Sequence, residues 1–426
     1  EENGYPFAKI WLTNIEFTNS GLKADLNLDE GLYFTFQKFD IDESVKISES
    51  FLTKFLGFKK GEAFNYKKAI KIEDAISSLP YLKVRRAPFV SYSDEGRVRI
   101  YLDLENVQVS SFDGIVGVAP QSKVDGGTLF TGQFDFKLRN PLARGIGFDM
   151  AFEKFQENSQ KLNTRLEYPF ILSTSLGFDF SFDLLKADTN YMNLTTRLGF
   201  AYFFSGNSKL GAFYNQFRAY PLASQIGENV YQNLTTHNYG LNYKGSQLDY
   251  LPNPLKGFNA FFEASIGRKE FANEEQMNTT IAQAQHKVEF FIPLAKKLTF
   301  LLRSNGQFVL DPSFSQNQVL WIGGLKSLRG FNEGAIPAKN YVQQTLELRY
   351  LVDRNSHAKV FYDLARVQQF NAQNELVASW FSGFGAGYNF RTGPGIFTIN
   401  YAIGQDNNSQ ISLTDGKVHF GFLSYF

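Results

Sequence analysis

Residues 286–310 read "HKVEFFIPLAKKLTFLLRSNGQFVL". Two segments of interspersed apolar and polar residues flank the short turn "PLAKK", which is the pattern of two antiparallel β-strands joined by a tight connection. From residue 111 to the C-terminus the same kind of segment returns at spacings of roughly 10 to 20 residues, with almost no helical periodicity. The sequence therefore predicts a chain dominated by antiparallel β-structure.

The connections between these segments alternate in kind. One set is short and rich in Pro, Asn and Gly, as in "RNPLARG" and "RTGPG"; the other is longer and polar, as in "KEFANEEQMNTT" and "QDNNSQISLTDG". Short turns on one side and long loops on the other are typical of outer-membrane barrels. We therefore predict an all-β transmembrane barrel of about 16 antiparallel strands. A water-soluble β-sandwich is the alternative, but a soluble core seldom needs Phe on the outward face of so many strands.

The composition excludes several other classes of protein. The chain has 426 residues, a formal charge of +1 and no cysteine. The near-zero charge argues against a nucleic-acid partner, which would require a basic excess. Without cysteine there is neither a disulfide scaffold nor a thiolate metal site. No apolar run reaches the roughly 18 residues of a membrane-spanning helix.

The chain up to about Asn106 follows a different pattern, that of a small α+β module. Alternating segments such as "KIWLTNIEF" predict strands, and "ESVKISESFLTKFLG" predicts a helix with Gly57 as its C-cap. "NYKKAIKIEDAISSL" predicts a second helix, with Asn65 as a possible N-cap and Pro80 as its end. The segment "PFVSYSDEGRVRIYLDLE" then predicts a closing hairpin.

The longest outer loop, residues 311–339, contains "GGLKSLRGFNEGAIP". Its apolar residues predict that it folds back into the barrel lumen, where Arg329 would need an acceptor. Strand alternation places Glu347 in "TLELRYLV" and Asp363 in "KVFYDLARV" on the lumenal face. We therefore predict that Arg329 pairs with Asp363, with Glu347 nearby. A solvated arginine in a surface loop is the alternative.

These motifs together resemble the BamA/TamA-type outer-membrane assembly superfamily, which also includes two-partner secretion translocators. The loop motif of that superfamily corresponds to Leu328, Arg329, Gly330 and Phe331, and its acidic partner to Asp363. The family pattern commonly has glycine two residues after the aspartate, where this chain has Ala365.

The resemblance also implies a division of the chain into domains. The α+β segment resembles a polypeptide-transport-associated (POTRA) domain of the periplasm. Residues 1–32 correspond to the C-terminal part of a truncated repeat, residues 33–108 to a POTRA-like domain, and residues 109–426 to the barrel. The native protein is accordingly expected to continue upstream with further repeats.

The resemblance implies a mechanism based on a seam between the first and last barrel strands. Small residues and a proline without an N–H group make pairing in "DGIVGVAP" weak, and an edge strand that opens can accept a client strand. The seam would comprise Gly114, Val116, Gly117, Pro120, Val418, Phe420 and Phe422, and Phe426 resembles a C-terminal assembly signal.

The function implied is that of an outer-membrane insertase in a Gram-negative bacterium. Its expected partners are unfolded outer-membrane or secreted client proteins and outer-membrane lipids, with periplasmic chaperones or lipoproteins as further candidates. The family resemblance implies no cofactor, no metal and no nucleic acid.

Three other functions share parts of this pattern. A two-partner translocator threads an unfolded chain through the lumen and shares every motif named above. A passive porin needs neither the POTRA-like module nor a plugged loop. A barrel hydrolase needs a base beside a nucleophile, whereas the four histidines lie on separate predicted strands or turns: His237, His286, His357 and His419. We therefore do not expect an enzyme.

Overall fold

The computed structural model of the chain describes residues 2–18, 21–120, 128–154, 159–187, 189–205, 208–222, 231–249, 253–273, 277–332, 334–371, 373–392, 395–406 and 416–424. Within these ranges, no helix is both long enough and apolar enough to cross a bilayer.

The N-terminal part consists of a hairpin followed by an α+β module. The hairpin pairs two antiparallel strands, β1 (Lys9–Thr18) and β2 (Gly21–Asp29). The module has a three-stranded sheet of order β3-β5-β4, in which β3 is parallel to β5. Its elements are β3 (Thr35–Ile41), α1 (Glu49–Phe55), α2 (Tyr66–Ile70), α3 (Ile72–Ser77), β4 (Leu82–Tyr92) and β5 (Arg97–Asn106).

Side-chain caps and an apolar face explain the helices of the module. The Oγ of Ser48 accepts from the N–H of Phe51 at the start of α1, and Asn65 Oδ1 accepts from the N–H of Lys68 at the start of α2. The single helix expected over residues 65–79 is divided at Lys71, which ends α2 and precedes α3. Ile72, the first residue of α3, is buried in the core, whereas Ile70, the last residue of α2, is exposed.

The rest of the chain forms one antiparallel sheet of sixteen strands among the described residues, so the predicted strand count is confirmed. The order follows the chain from β6 to β16 and then from β19 to β23. The strands are β6 (Ser111–Pro120), β7 (Thr128–Arg139), β8 (Gly147–Lys154), β9 (Gln160–Tyr168), β10 (Leu176–Ala187), β11 (Tyr191–Ser205), β12 (Ser208–Pro221), β13 (Leu234–Leu248), β14 (Gly257–Phe271), β15 (Thr279–Ala295), β16 (Leu298–Leu310), β19 (Asn340–Leu351), β20 (His357–Phe370), β21 (Leu376–Arg391), β22 (Gly395–Asp406) and β23 (Lys417–Ser424).

The first and last strands of this sheet are not joined within the described ranges. The strand order ends at β23 on one side and at β6 on the other, whereas the sequence predicts a closed barrel. The sequence of β6 gives a physical reason for weak pairing there. Pro120 has no N–H to donate, and Gly114 and Gly117 contribute no side chains to packing across a strand pair.

The two faces of the sheet differ in chemistry. On β19, Leu346, Leu348 and Tyr350 point outward and are exposed, while Glu347 between them is only 2% exposed. The same alternation on β20 leaves Tyr362 exposed and its neighbour Asp363 buried. Because side chains alternate along a strand, the outer face is apolar and the inner face carries the buried polar groups.

The α+β module packs against two short connections of the sheet. In the connection after β7, Asn140 Nδ2 donates to the carbonyl oxygen of Lys46 at 2.6 Å, and the N–H of Ser48 donates to the carbonyl oxygen of Ala143 at 2.8 Å. The ring of Phe51 on α1 meets that of Phe170, in the connection after β9, with centroids 5.4 Å apart. The module is therefore fixed close to the first strands of the sheet.

Candidate functional site: an inward-folded loop held by buried ion pairs

The long connection between β16 and β19, residues 311–339, folds against the inner face of the sheet. It contains a short hairpin of β17 (Leu320–Ile322) and β18 (Ile336–Ala338). Its apolar side chains form a cluster with residues of β20 and β21. The buried members are Ile322, Leu328, Ile336, Ala338, Ala365, Val367 and Phe381. The burial of this cluster stabilises the loop in its inward position.

Arg329 lies at the tip of the loop and is 4% exposed. Its Nε and Nη2 atoms donate to the two carboxylate oxygens of Asp363 at 2.7 and 2.8 Å, and its Nη1 donates to Glu347 Oε2 at 2.7 Å. The fork of the guanidinium matches the carboxylate, which makes this a bidentate pair. The structure thus brings together all three residues. We call Arg329, Asp363 and Glu347 the tip lock.

Neighbouring residues complete the tip lock. Thr345 Oγ1 donates to Asp363 Oδ1, and Arg349 Nε donates to Glu347 Oε1, both at 2.7 Å. The guanidinium carbon of Arg329 lies 3.5 Å from the ring centroid of Phe361, in cation–π geometry. The hydrogen-bonded network thus contains two arginines and two carboxylates. Removing one partner of such a buried pair typically costs about 3–5 kcal/mol.

Glycines allow the tip to approach the strands closely. Gly330 has φ +94°, a conformation that other residues rarely adopt. A Cβ on Gly383 of β21 would lie 1.9 Å from the carbonyl oxygen of Arg329, and one on Gly404 of β22 would lie 2.5 Å from that of Gly330. Ala365 is fully buried in the apolar cluster with Leu328. The backbone of the loop therefore lies directly on β21 and β22.

A second buried ion pair holds the start of the loop. Lys269 on β14 and Asp311 are both fully buried, and the Nζ of Lys269 donates to Asp311 Oδ2 at 2.9 Å. The same Nζ donates to the carbonyl oxygen of Ser313 at 2.5 Å and to Gln318 Oε1 at 2.8 Å. All three ammonium donors are satisfied. We call Lys269 and Asp311 the stem lock.

Sequence reasoning did not identify the stem lock. A signal was present, because Lys269 and Glu263 are spaced by an even number of residues on one strand and share its inner face. The acceptor, however, lies 42 residues further along the chain, in an irregular connection.

The residues predicted for the seam lie on the terminal strands of the sheet. Val418 and Phe420 are 56% and 71% exposed on β23, while His419 between them is buried. The backbones of Gly114, Val116, Gly117 and Pro120 belong to β6, and that of Phe422 to β23. The side chains of these five positions are outside the described part of the structure. Phe426 lies outside the described residues altogether.

The described ranges contain no candidate metal site. No group of three or more His, Asp or Glu side chains there could hold a metal ion. His237 contacts the hydroxyl of Tyr214, and His286 contacts that of Ser304, so these two rings have separate partners. The four histidines lie on four different strands, namely β13, β15, β20 and β23.

Comparisons with known proteins point to one family. The model of the Omp85 superfamily domain matches residues 124–422. No curated protein matches the chain at a significant level.

Solved structures share the fold at low sequence identity. BamA from Haemophilus ducreyi lacking POTRA domains 1–3 is 14% identical, with a TM-score of 0.53 over 99% of this chain and 90% of that chain. CdiB from Escherichia coli is 16% identical, with a TM-score of 0.65 over 100% of this chain and 82% of that chain. CdiB from Acinetobacter baumannii is 17% identical, with a TM-score of 0.59 over 99% of this chain and 79% of that chain. At these identities the likeness establishes a common fold.

Proposed function

The chain belongs to the Omp85 superfamily, and on that premise we propose that it is an outer-membrane insertase of a Gram-negative bacterium. In this proposal the large sheet closes into a membrane-spanning barrel, and residues 33–108 act as a POTRA-like periplasmic domain. Unfolded client proteins are received by that domain and enter the membrane sideways, through a seam between β6 and β23.

The proposal rests on a difference between the two ends of the large sheet, which are not paired with each other in the described ranges, and its inner face, which is occupied. The ends, β6 and β23, are not paired with each other in the described ranges. The inner face, by contrast, is occupied by a loop that two buried ion pairs hold in place. A strand edge is a template for adding another strand, so clients have an easier path at the edge than through the interior.

The position of the α+β module supports the same path. The module is hydrogen-bonded to the connection that follows β7, and β7 is the direct neighbour of β6. A client that leaves the module would therefore arrive beside the first strand. The two outer strands of its small sheet, β3 and β4, each have one edge that no strand of that sheet covers, and such edges can bind extended segments.

A translocator is the second candidate function, and a cavity of about 290 Å³ beside the loop favours it. The cavity lies on the inner face between the loop and the strands from β9 to β16. Many of its lining residues are uncharged and polar, including Asn163, Thr195, Asn215, Gln283 and Gln307. Side chains of this kind can hydrogen-bond to the backbone of an extended chain as it passes.

Reconstitution into lipid vesicles separates the two functions. Purified protein is placed in vesicles with its module facing outward, and two unfolded substrates are added from that side: a β-barrel membrane protein and a secreted polypeptide. An insertase makes the barrel substrate fold in the bilayer faster than it does in empty vesicles. A translocator instead delivers the secreted polypeptide to the vesicle interior, where external protease cannot reach it, and that outcome would overturn the insertase proposal.

A further inference from the structure

The tip of the inward-folded loop contacts the last strand of the sheet. The N–H of Gly330 donates to Nε2 of His419 on β23 at 3.1 Å, and both residues are buried. Because Nε2 accepts this hydrogen bond, it carries no proton in this arrangement. The contact joins two parts of the chain that are 89 residues apart in sequence.

A second contact to β23 lies two residues further along the strand. A Cβ on Gly421 would lie 2.5 Å from Cδ2 of Leu325, so the leucine side chain rests on the glycine backbone. Gly421 and His419 are separated by one residue and therefore share the inner face of β23. The tip thus supports β23 through a polar contact with His419 and an apolar contact with Gly421.

Further attachments of the loop lie on strands that are distant from β23. The stem lock joins it to β14, and the tip lock joins it to β19 and β20. Asn193 of β11 also donates from Nδ2 to the carbonyl oxygen of Asn317, at 2.7 Å. The loop therefore spans the inner side of the sheet, from its middle strands to its last strand.

We propose that His419 and Gly421 are positioning residues through which the loop holds β23 in place, so that the tip lock controls the mobility of the seam strand. This inference rests on the proposed function only where it treats the junction of β6 and β23 as the seam for clients. The support of β23 by the loop does not depend on that function. Since β23 ends the strand order and pairs with β22, the tip is a support from a second direction. Releasing Arg329 would release that support.

Hydrogen–deuterium exchange of the full chain in detergent micelles tests this inference. In His419→Leu the Gly330 N–H loses its acceptor and stays buried, so we expect the amides of residues 417–421 to exchange about tenfold faster than in the wild type. In His419→Gln the side-chain oxygen can accept the same hydrogen bond, so exchange is expected to stay close to that of the wild type. The matched control is His357→Leu on β20, because neither ring nitrogen of His357 has a hydrogen-bond partner in the described structure.

The Leu325–Gly421 contact gives an independent check. Gly421→Ala places a methyl group against Leu325 and should speed the exchange of β23, while the double variant Gly421→Ala/Leu325→Ala should return it toward the wild-type rate. If His419→Leu and Gly421→Ala both leave β23 as protected as in the wild type, the inference is wrong. That result would not affect the insertase proposal, which the vesicle experiment tests separately.

Discussion

Arg329 and Asp363 form a bidentate ion pair that is almost completely removed from solvent, with Nε and Nη2 donating at 2.7 and 2.8 Å to the two carboxylate oxygens. Such a pair contributes little to stability compared with an apolar substitute of the same size, but breaking it from one side is costly. The pair therefore acts mainly to fix one arrangement of the loop.

Replacing Arg329 with methionine should release the tip of the loop. The change leaves Asp363 buried without its cation and Glu347 paired with Arg349 alone, at a cost of about 3–5 kcal/mol. We expect amide exchange in residues 323–332 to rise roughly a hundredfold, which hydrogen–deuterium exchange measures directly. Arg329→Lys keeps the positive charge but not the forked guanidinium group. Amide exchange should therefore be faster than in the wild type but slower than in Arg329→Met.

Arg366 provides the control for that experiment. It lies on the exposed face of β20, beside Trp380, and does not belong to the tip lock. Arg366→Met should leave the exchange of the loop unchanged. If the loop amides of Arg329→Met exchange as slowly as those of the wild type, the tip lock does not hold the loop in place.

Replacing Lys269 with methionine should weaken the stem of the loop. Asp311 would keep its charge without an ammonium partner, so the midpoint of thermal unfolding, read from the gel mobility of heated samples, should fall by several degrees. The double variant Lys269→Met/Asp311→Asn removes both charges of the stem lock and should recover most of that loss. If the decrease in unfolding midpoint of the double variant equals the sum of the decreases of the two single variants, the two residues are not coupled.

Gly383→Ala should displace the tip without touching any charged group. The added methyl carbon would lie 1.9 Å from the carbonyl oxygen of Arg329, which is backbone and cannot rotate away. We expect faster amide exchange in residues 328–331 and a lower unfolding midpoint. Gly147→Ala is the control, because its Cβ would meet only Arg139 Nη1, at an ordinary 3.6 Å. If Gly383→Ala and Gly147→Ala have the same amide exchange rates and the same unfolding midpoint, the close approach of the Arg329 backbone to Gly383 is contradicted.

Phe170→Ala should loosen the α+β module from the sheet. The ring of Phe170 lies 5.4 Å from that of Phe51 and 4.8 Å from that of Phe203, and removing such a buried ring typically costs about 3–5 kcal/mol. Spin labels on Lys60→Cys and Lys296→Cys should then give a broader distance distribution in pulsed electron resonance.

Leu172 is the matched control for the module, because it lies two residues from Phe170 and is 88% exposed. Leu172→Ala should leave the distance distribution as narrow as that of the wild type. A narrow distribution for Phe170→Ala as well would mean that the hydrogen bonds from Asn140 and Ser48 are sufficient to hold the module.

Strand alternation alone places Glu347 and Asp363 on the inner face, and the structure has both side chains beside Arg329. The inward position of these two residues can be predicted because side chains alternate between the two faces of a strand. The face on which a residue lies therefore follows directly from the sequence. The contacts of Lys269, Gly383 and His419 could not be predicted from the sequence. They depend on the path of an irregular loop across the sheet, and that path has no periodic signal in the sequence.

The helix break at Lys71 has a similar explanation. Residues 65–79 have helical spacing of apolar positions, but α2 ends at Ile70 and α3 begins at Ile72, with Lys71 as the C-cap of the first and the N-cap of the second. Tertiary packing decides such local adjustments, and propensity alone does not encode them.

A disulfide across the seam would test directly whether clients enter the membrane between β6 and β23. The chain has no cysteine, so one cysteine at Val116 on β6 and one at Phe422 on β23, with neighbouring positions scanned for register, would report only on this junction. Each single-cysteine variant is the control, and reductant should reverse the effect. We expect that the oxidised double variant no longer folds an added β-barrel client into vesicles and that it recovers when reduced. Full insertion activity with the seam covalently closed would contradict lateral insertion.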